Sequence, residues 1–203
     1  MKIKKYLIKT LIVIIGSVVS AYGITLGINA GFGGATLAIL WQGLSKVTGM
    51  SIGASSLVVA VIMIGFAFFY DRKQINVGTV LYQLIYSFFV DVFTKIQHYT
   101  DFRAVNFILM IVGIVIFSFG TGLYSAADFG RGSYEAVTFS LSEKNGWKVK
   151  IVRMVLDVLM VVIGVLLGGK FGICTVITVI ISGPVIQFTV NTAKKTKMFK
   201  AIL

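Results

Sequence analysis

Long apolar runs, broken only by short glycine-rich or basic stretches, decide what this chain can become. They fall at about residues 7–29, 51–70, 79–93, 105–127, 151–168 and 173–190. A helix needs roughly 20 apolar residues to cross a bilayer, so six such helices take up roughly 120 positions of the chain. In lipid, only helices and closed barrels satisfy every backbone N–H and C=O. Unbroken apolar runs of this length, without two-residue alternation, point to helices. Only 13% of the 203 residues are charged, against about a quarter in soluble domains, too few to cover a soluble fold. The expected architecture is an all-α integral membrane protein. It forms one membrane domain over residues 1–203, with no length left for a soluble catalytic unit.

The formal net charge of +12 raises nucleic acid as a partner, but the basic residues sit between apolar runs and form no single basic face. An excess of Lys and Arg on the cytoplasmic side explains them, and the bilayer, not nucleic acid, is the expected partner. With six spans and an inner N-terminus, only Lys46, Lys95, Arg103 and Lys170 of the 19 basic residues fall outside. This bias predicts both termini in the cytoplasm. The first run, preceded by Lys2, Lys4, Lys5 and Lys9, resembles a secretory signal with Val19-Ser20-Ala21 at its end. Because the apolar run continues to Ala30 and recurs later in the chain, it is read as an uncleaved first span.

A repeat organises the rest. Sliding the chain by 97 residues superposes Gly23 on Gly120, Phe32-Gly33 on Phe129-Gly130, Leu44-Ser45 on Leu141-Ser142 and Gly49 on Gly146. With a one-residue adjustment, Gly78-Thr79 meets Cys174-Thr175 and Asp91 meets Gln187. The repeats cover residues 6–97 and 104–191, each reading as span, glycine-rich break, short helical piece, span, loop, span. Three crossings per half place the second repeat upside down. Inverted repeats are a recurrent plan of transporters, with sites near the midplane at the repeat interface. The short pieces, 35–47 and 133–144, cannot span. Each either dips into the membrane, aiming its N-terminal amides inward, or lies along the surface. Glu135, Thr138 and Ser142 opposite Val137 and Leu141 give the second piece an amphipathic pattern that suits the surface.

The motifs resemble those of the YczE/YyaS/YitT family of bacterial multi-pass membrane proteins. The residues that carry the likeness are Gly23-x-x-x-Gly27, Gly31-Phe32-Gly33, Gly43-Leu44-Ser45 and Thr48-Gly49-Met50-Ser51-Ile52-Gly53 in the first half. In the second half they are Arg153, Gly168-Gly169-Lys170-Phe171-Gly172-Ile173-Cys174-Thr175 and Ser182-Gly183-Pro184. Two departures stand out. Gly34-Ala35 replaces a proline frequent in the first break, and Gly172-Ile173-Cys174-Thr175 replaces a usual Gly-x-Gly-Thr. The resemblance implies a bacterial plasma-membrane protein and no defined substrate.

Two glycine sets, Gly23, Gly27, Gly31 and Gly164, Gly168, Gly172, repeat every four residues and are read as helix-packing positions. They could equally pack helices within one chain or form a homo-oligomer. Ionisable residues in or beside the spans are the better functional candidates, because an acid at a span's centre costs roughly 2.5–3.5 kcal/mol and normally faces the bundle interior. Asp157 and Arg153 lie four apart on one face of the fifth span. Asp128, Arg131 and Glu135 cluster after the fourth. The first half has only neutral polar groups, Asn29, Thr36, Trp41, Gln42 and Ser56. This asymmetry suggests a vestibule where Asp157 holds a proton or cation, or Arg153 an anionic group. A plain ion pair with a snorkelling arginine is the competing reading. Asp91 with Lys95 reads as an exposed pair near an outer helix end, and His98 as a solvated loop residue.

Enzyme motifs are absent. The sequence has no Walker-type phosphate loop, no His-Glu-x-x-His helix and no Gly-x-Ser-x-Gly elbow, and Asp128-Phe129-Gly130 lacks any kinase context. The single Cys174 supports neither a disulfide framework nor a cysteine metal cluster, and no cofactor is called for. The expected function is a small secondary transporter or permease for an unknown small molecule or ion. A membrane-embedded regulator or scaffold, and the substrate-binding subunit of a vitamin importer, are the alternatives. An hourglass channel is weaker, since the only proline is Pro184.

Overall fold

The polar and glycine-rich breaks in the sequence are where the helices begin and end. The computed structural model describes residues 2–97, 99–196 and 199. Among them every regular element is helical: α1 (Lys2–Asn29), α2 (Thr36–Thr48), α3 (Ile52–Tyr70), a 3-10 turn (Arg72–Gln74), α4 (Val77–Ile96), α5 (Arg103–Ala126), α6 (Ser133–Asn145), α7 (Val149–Leu166) and α8 (Ile173–Lys195). Helices α1, α3, α4, α5 and α8 are long and apolar enough to cross a membrane. The remaining expected span is the 18-residue α7, made less apolar by Lys150, Arg153 and Asp157. Outward faces are apolar, with Phe69, Leu166 and Phe188 among the most exposed side chains, which suits lipid and not water. The chain is an α-helical membrane protein.

The helix starts are of two kinds. Ser51 caps α3 by accepting from the Ala54 amide, and Asn76 caps α4 by accepting from Val77. Ala35 and Gly132, before α2 and α6, share one extended geometry (φ −61 and −60, ψ 160 at both) and offer no side-chain cap. The first amides of both short helices therefore need partners from elsewhere. Both short helices end on a left-handed glycine, Gly49 and Gly146.

Helices α1 and α5 cross antiparallel at the centre. Gly16 lies against Gly120 and Tyr124, and Gly23 against Gly113 and Phe117. A Cβ on Gly23 would stand 2.6 Å from the Gly113 carbonyl oxygen, and one on Gly120 would stand 2.5 Å from the Ser20 amide nitrogen. Only glycine permits so close an approach, the usual basis of helix association in lipid. The contacts are reciprocal, since adding 97 to Gly16 and Gly23 gives Gly113 and Gly120. A second reciprocal pair ties the breaks. Gly78 N donates to the Phe129 carbonyl and Cys174 N to the Phe32 carbonyl, both at 3.1 Å.

Around this centre α4 lies along α1 and α8 along α5, while α2 packs on α7 and α6 on α3. Each short helix thus rests on the outer helix of the other half. The polar face expected of α6 is not turned to the outside. Thr138 and Ser142, expected on a polar outer face, are buried together with Val137. The symmetry fails most clearly where α3 packs along α4 but α7 and α8 scarcely touch.

Candidate functional site

The N-terminal ends of α2 and α6 converge on a cavity of about 680 Å³ walled by α4, α7 and α8. Its position follows from packing. The polar first turn of α2 (Thr36) is brought beside α7, and that of α6 (Ser133, Tyr134) beside α4 and α7. Asp157, two turns into α7, is held by both. The Thr36 hydroxyl donates to its Oδ1 at 2.8 Å, and the Tyr134 hydroxyl donates to the same oxygen at 2.7 Å. Among the described residues Oδ2 receives no hydrogen bond and remains available to the cavity.

Arg153 is not the partner of that carboxylate. Its guanidinium lies over the Tyr134 ring, 5.4 Å from the centroid, so the ion pair of the competing reading is not formed and the two groups stand separately in the cavity wall. Hydrogen bonds to a charged acceptor are worth about 1.5–3 kcal/mol each. Two of them offset the roughly 2.5–3.5 kcal/mol cost of an acid within a span, without help from Arg153. The uncapped α2 terminus adds its partial positive charge nearby.

Glu135, in the first turn of α6, also lines the cavity, and the Tyr124 hydroxyl reaches its Oε2 at 3.4 Å. Behind it runs an aromatic row. Tyr124 stacks on Tyr82 at 3.9 Å, Tyr82 on Tyr86 at 5.3 Å, and Tyr86 meets Trp41 edge-on at 5.9 Å. Ser133 donates to Gln83 Oε1 at 3.3 Å. Among the described residues no three His, Cys, Asp or Glu side chains gather closely enough to hold a metal ion.

The other candidates scatter. Asp128 sits outside the cavity in a left-handed turn (φ 48), matching Gly31 (φ 83) in the first half, and its carbonyl accepts from Lys9. Arg131 packs its guanidinium on the Phe139 ring at 3.6 Å. Asn29 and Gln42 line a separate pocket of about 350 Å³ with Lys46 and Lys170, where Gln42 Oε1 accepts from the Lys170 amide. Asp91 accepts from the Ser51 hydroxyl and the Gly53 amide at the start of α3, so a helix N-terminus holds it. His98 lies outside the described residues.

The glycine sets divide as well. Gly23 lies against α5, and Gly164 against the α2 backbone, where a Cβ would meet the Leu40 amide at 2.6 Å. Gly172 lies on the Phe32 carbonyl. Gly27 has only the Cys174 sulfur nearby at 3.6 Å, ordinary contact. The four-residue spacing does not continue into Gly31 and Gly168. Both lie beyond their helices with positive φ, so they serve turns and not helix faces.

The sequence reading passed over Tyr82, Gln83, Tyr86 and Tyr134. A signal existed for the first three, which fall with Ser87 on one helical stripe of polar side chains inside an otherwise apolar span.

Comparison with known proteins gives the family of the chain. The profile described as "Family of unknown function (DUF6198)" matches residues 7–191. The "Uncharacterized membrane protein YczE" of Bacillus subtilis is 28% identical over 181 residues, 86% of this chain and 81% of that protein. An "Uncharacterized protein" of Haemophilus influenzae is 27% identical over 164 residues, 80% and 74% of the two chains. The "Uncharacterized protein YyaS" of Bacillus subtilis is 24% identical over 172 residues, 83% and 86%. No solved structure matches. The profile match runs through both halves and every wall of the cavity, and the chain belongs to the YczE/YyaS family of membrane proteins, DUF6198.

Proposed function

We propose that this chain is a small secondary transporter or permease, built from two inverted three-span repeats, with its substrate site in the central cavity. In this reading α7 is the sixth span, its charged face turned toward the cavity and its apolar face toward lipid. The antiparallel crossing of α1 and α5 and the reciprocal contacts 97 residues apart support the inversion. The distribution of Lys and Arg supports a plasma-membrane protein with both termini in the cytoplasm.

One observation carries the reading: two uncapped short helices aim their first turns, from opposite halves, at one cavity that holds Asp157, Glu135 and Arg153. Irregular backbone and half-helices at membrane depth are tolerated where they line a cavity, the plan of transporters whose sites sit at the repeat interface. Asp157 is the group that would bind the substrate or a coupling ion, because one of its oxygens is held in place and the other is open.

The test is a thermal-shift screen of the detergent-solubilised protein against ions, amino acids, nucleotides, vitamins, lipids and antibiotics. A ligand at 100 times its Kd stabilises the fold by about 2.7 kcal/mol. The stabilisation should vanish in Asp157→Ala and in Arg153→Ala, both still folded. A hit that survives both substitutions removes the site from this cavity. A screen without hits, with both variants unchanged, favours a membrane-embedded regulator instead.

A further inference from the structure

The space between α7 and α8 leads from the outer surface of the bundle into the cavity, and its chemistry changes along the way. The rim is apolar and exposed: Met154, Val158 and Val162 from α7, and Val176, Val179 and Ile180 from α8. One face of α7 presents Lys150, Arg153 and Asp157 to the cavity at spacings of three and four, the exposed Lys150 in the first turn and the half-buried Arg153 and Asp157 further along the helix. With Glu135 the cavity holds two acids and two bases, a formally neutral set that favours neither a simple anion nor a simple cation.

Deeper still, two buried polar atoms have no hydrogen-bond partner among the described residues, the Trp41 Nε1 and the Tyr86 hydroxyl. Their side chains are 5% and 3% exposed and both line the cavity. Each of these two atoms has less than 1 Å² of its own surface open, so an occupant of the cavity meets the Trp41 and Tyr86 rings and not their polar atoms.

We infer that the cavity takes an amphiphile from the bilayer, whose head group carries an amine at its tip and an anionic group between the amine and an apolar tail. An aminophospholipid has this order of groups. The inference rests on the cavity being the substrate site proposed above. The ammonium meets the free oxygen of Asp157 and the aromatic walls of Trp41 and Tyr86. The anionic group meets Arg153 and Lys150 as a charge-assisted acceptor. The tail stays between α7 and α8 in hydrocarbon, so loading the site exposes no apolar surface to water.

The chain has two tryptophans, and Trp147 is exposed, away from the cavity. Trp147→Phe therefore leaves Trp41 as the sole reporter in the full chain, held in maltoside micelles. Three probes separate the possibilities: dihexanoyl phosphatidylethanolamine, tail-free glycerophosphoethanolamine, and dihexanoyl phosphatidylglycerol, which lacks the amine. The expected result is a saturable change in Trp41 emission with the first, and binding at least about tenfold weaker (~1.4 kcal/mol) with the other two. Asp157→Asn should lose the same factor. Gly183→Phe fills the gap at a position where an added Cβ meets nothing within 4 Å. It should weaken the tailed amine tenfold and leave the tail-free one unchanged. Equal binding of the tailed and tail-free amines, or indifference to Gly183→Phe, overturns lateral entry while leaving the cavity site intact. No Trp41 response to any probe overturns the inference altogether. The transporter reading falls separately, only if the wider ligand screen is also empty.

Discussion

The pair α3–α4 and the pair α7–α8 occupy matching places in the two halves, yet one is sealed and the other open. On the sealed side the Ser56 and Ser87 hydroxyls bond at 2.8 Å, Gln83 Nε2 donates to Ser87 at 2.9 Å, and Asp91 clamps the start of α3 through Ser51 and Gly53. Gly53 itself lies against the Ser87 carbonyl. The matching positions on the open side replace Gly53, Ser56 and Ala60 by Lys150, Arg153 and Asp157, Ser87 by Gly183, and Asp91 by Gln187. Small residues let two helices close in lipid. Long charged side chains cannot be buried against a neighbour's backbone without a partner for each charge, so the same two helices part and leave a cavity. In the repeat reading proposed above, the two halves share one frame, and the cavity lies where the second half lacks the packing residues of the first.

Exchanging residues between the sides tests that account. Ser56→Arg puts on the sealed side what the open side carries. Ser56 is fully buried, so the guanidinium would have neither room nor acceptor, and a loss of about 3–5 kcal/mol is expected. The reverse change, Arg153→Ser, acts in a cavity wall and should stay within about 1 kcal/mol. Thermal unfolding and the yield of monodisperse protein in detergent measure both. Equal tolerance of the two substitutions would break the comparison. Asp91→Ala should come next. It removes the acceptor of two charge-assisted bonds at the α3 start and should cost about 1–3 kcal/mol. Its counterpart Gln187→Ala loses only an exposed bond to Asn191 and should stay within about 0.5 kcal/mol.

Much of this was legible in the sequence, for identifiable reasons. Apolar run lengths report directly on helices in lipid, and the glycine breaks mark their ends, so the six expected runs fall on α1, α3, α4, α5, α7 and α8. The 97-residue offset survives in contacts such as Gly16 with Gly120 because close approach keeps glycine at both ends. Asp157 and Arg153 stood out because charge inside an apolar run is costly and so rarely idle. What the sequence concealed depends on which neighbour a side chain meets. Gly23 and Gly27 look alike in a four-residue pattern, but only Gly23 faces a backbone in contact distance. Asp91 and Lys95 have the spacing of a surface pair, yet a helix terminus 38 residues earlier claims the acid. Tyr134 gives no signal in the sequence until α7 is placed beside it, where its hydroxyl donates to Asp157.

The smallest effect is expected where the sealed side ends. Asp71, at the end of α3, accepts from the Gln74 side chain at 2.9 Å and from the Lys73 amide at 3.3 Å. Gln74 also donates to Glu143 of α6 at 2.8 Å, so this turn fastens α3 to the short helix of the other half. The matching residue after α7 is Gly168, where no carboxylate can do the same. The Gln74 hydrogen bond, aided by the Lys73 amide, holds the Asp71 carboxyl below its ordinary value of 3.8. A folded-state value below the unfolded one means the charged form favours the fold. That contribution is complete above the unfolded value and is lost as pH falls through the folded one, below 3.8. Asp71 lies at the surface, where solvent screens its charge, so the difference should be a small lowering of Tm in Asp71→Asn at neutral pH that closes as the medium is taken below about pH 4. A gap of constant size down to pH 3 would assign the loss to geometry at the turn, not to charge, and the contrast between the two helix ends would then rest on packing alone.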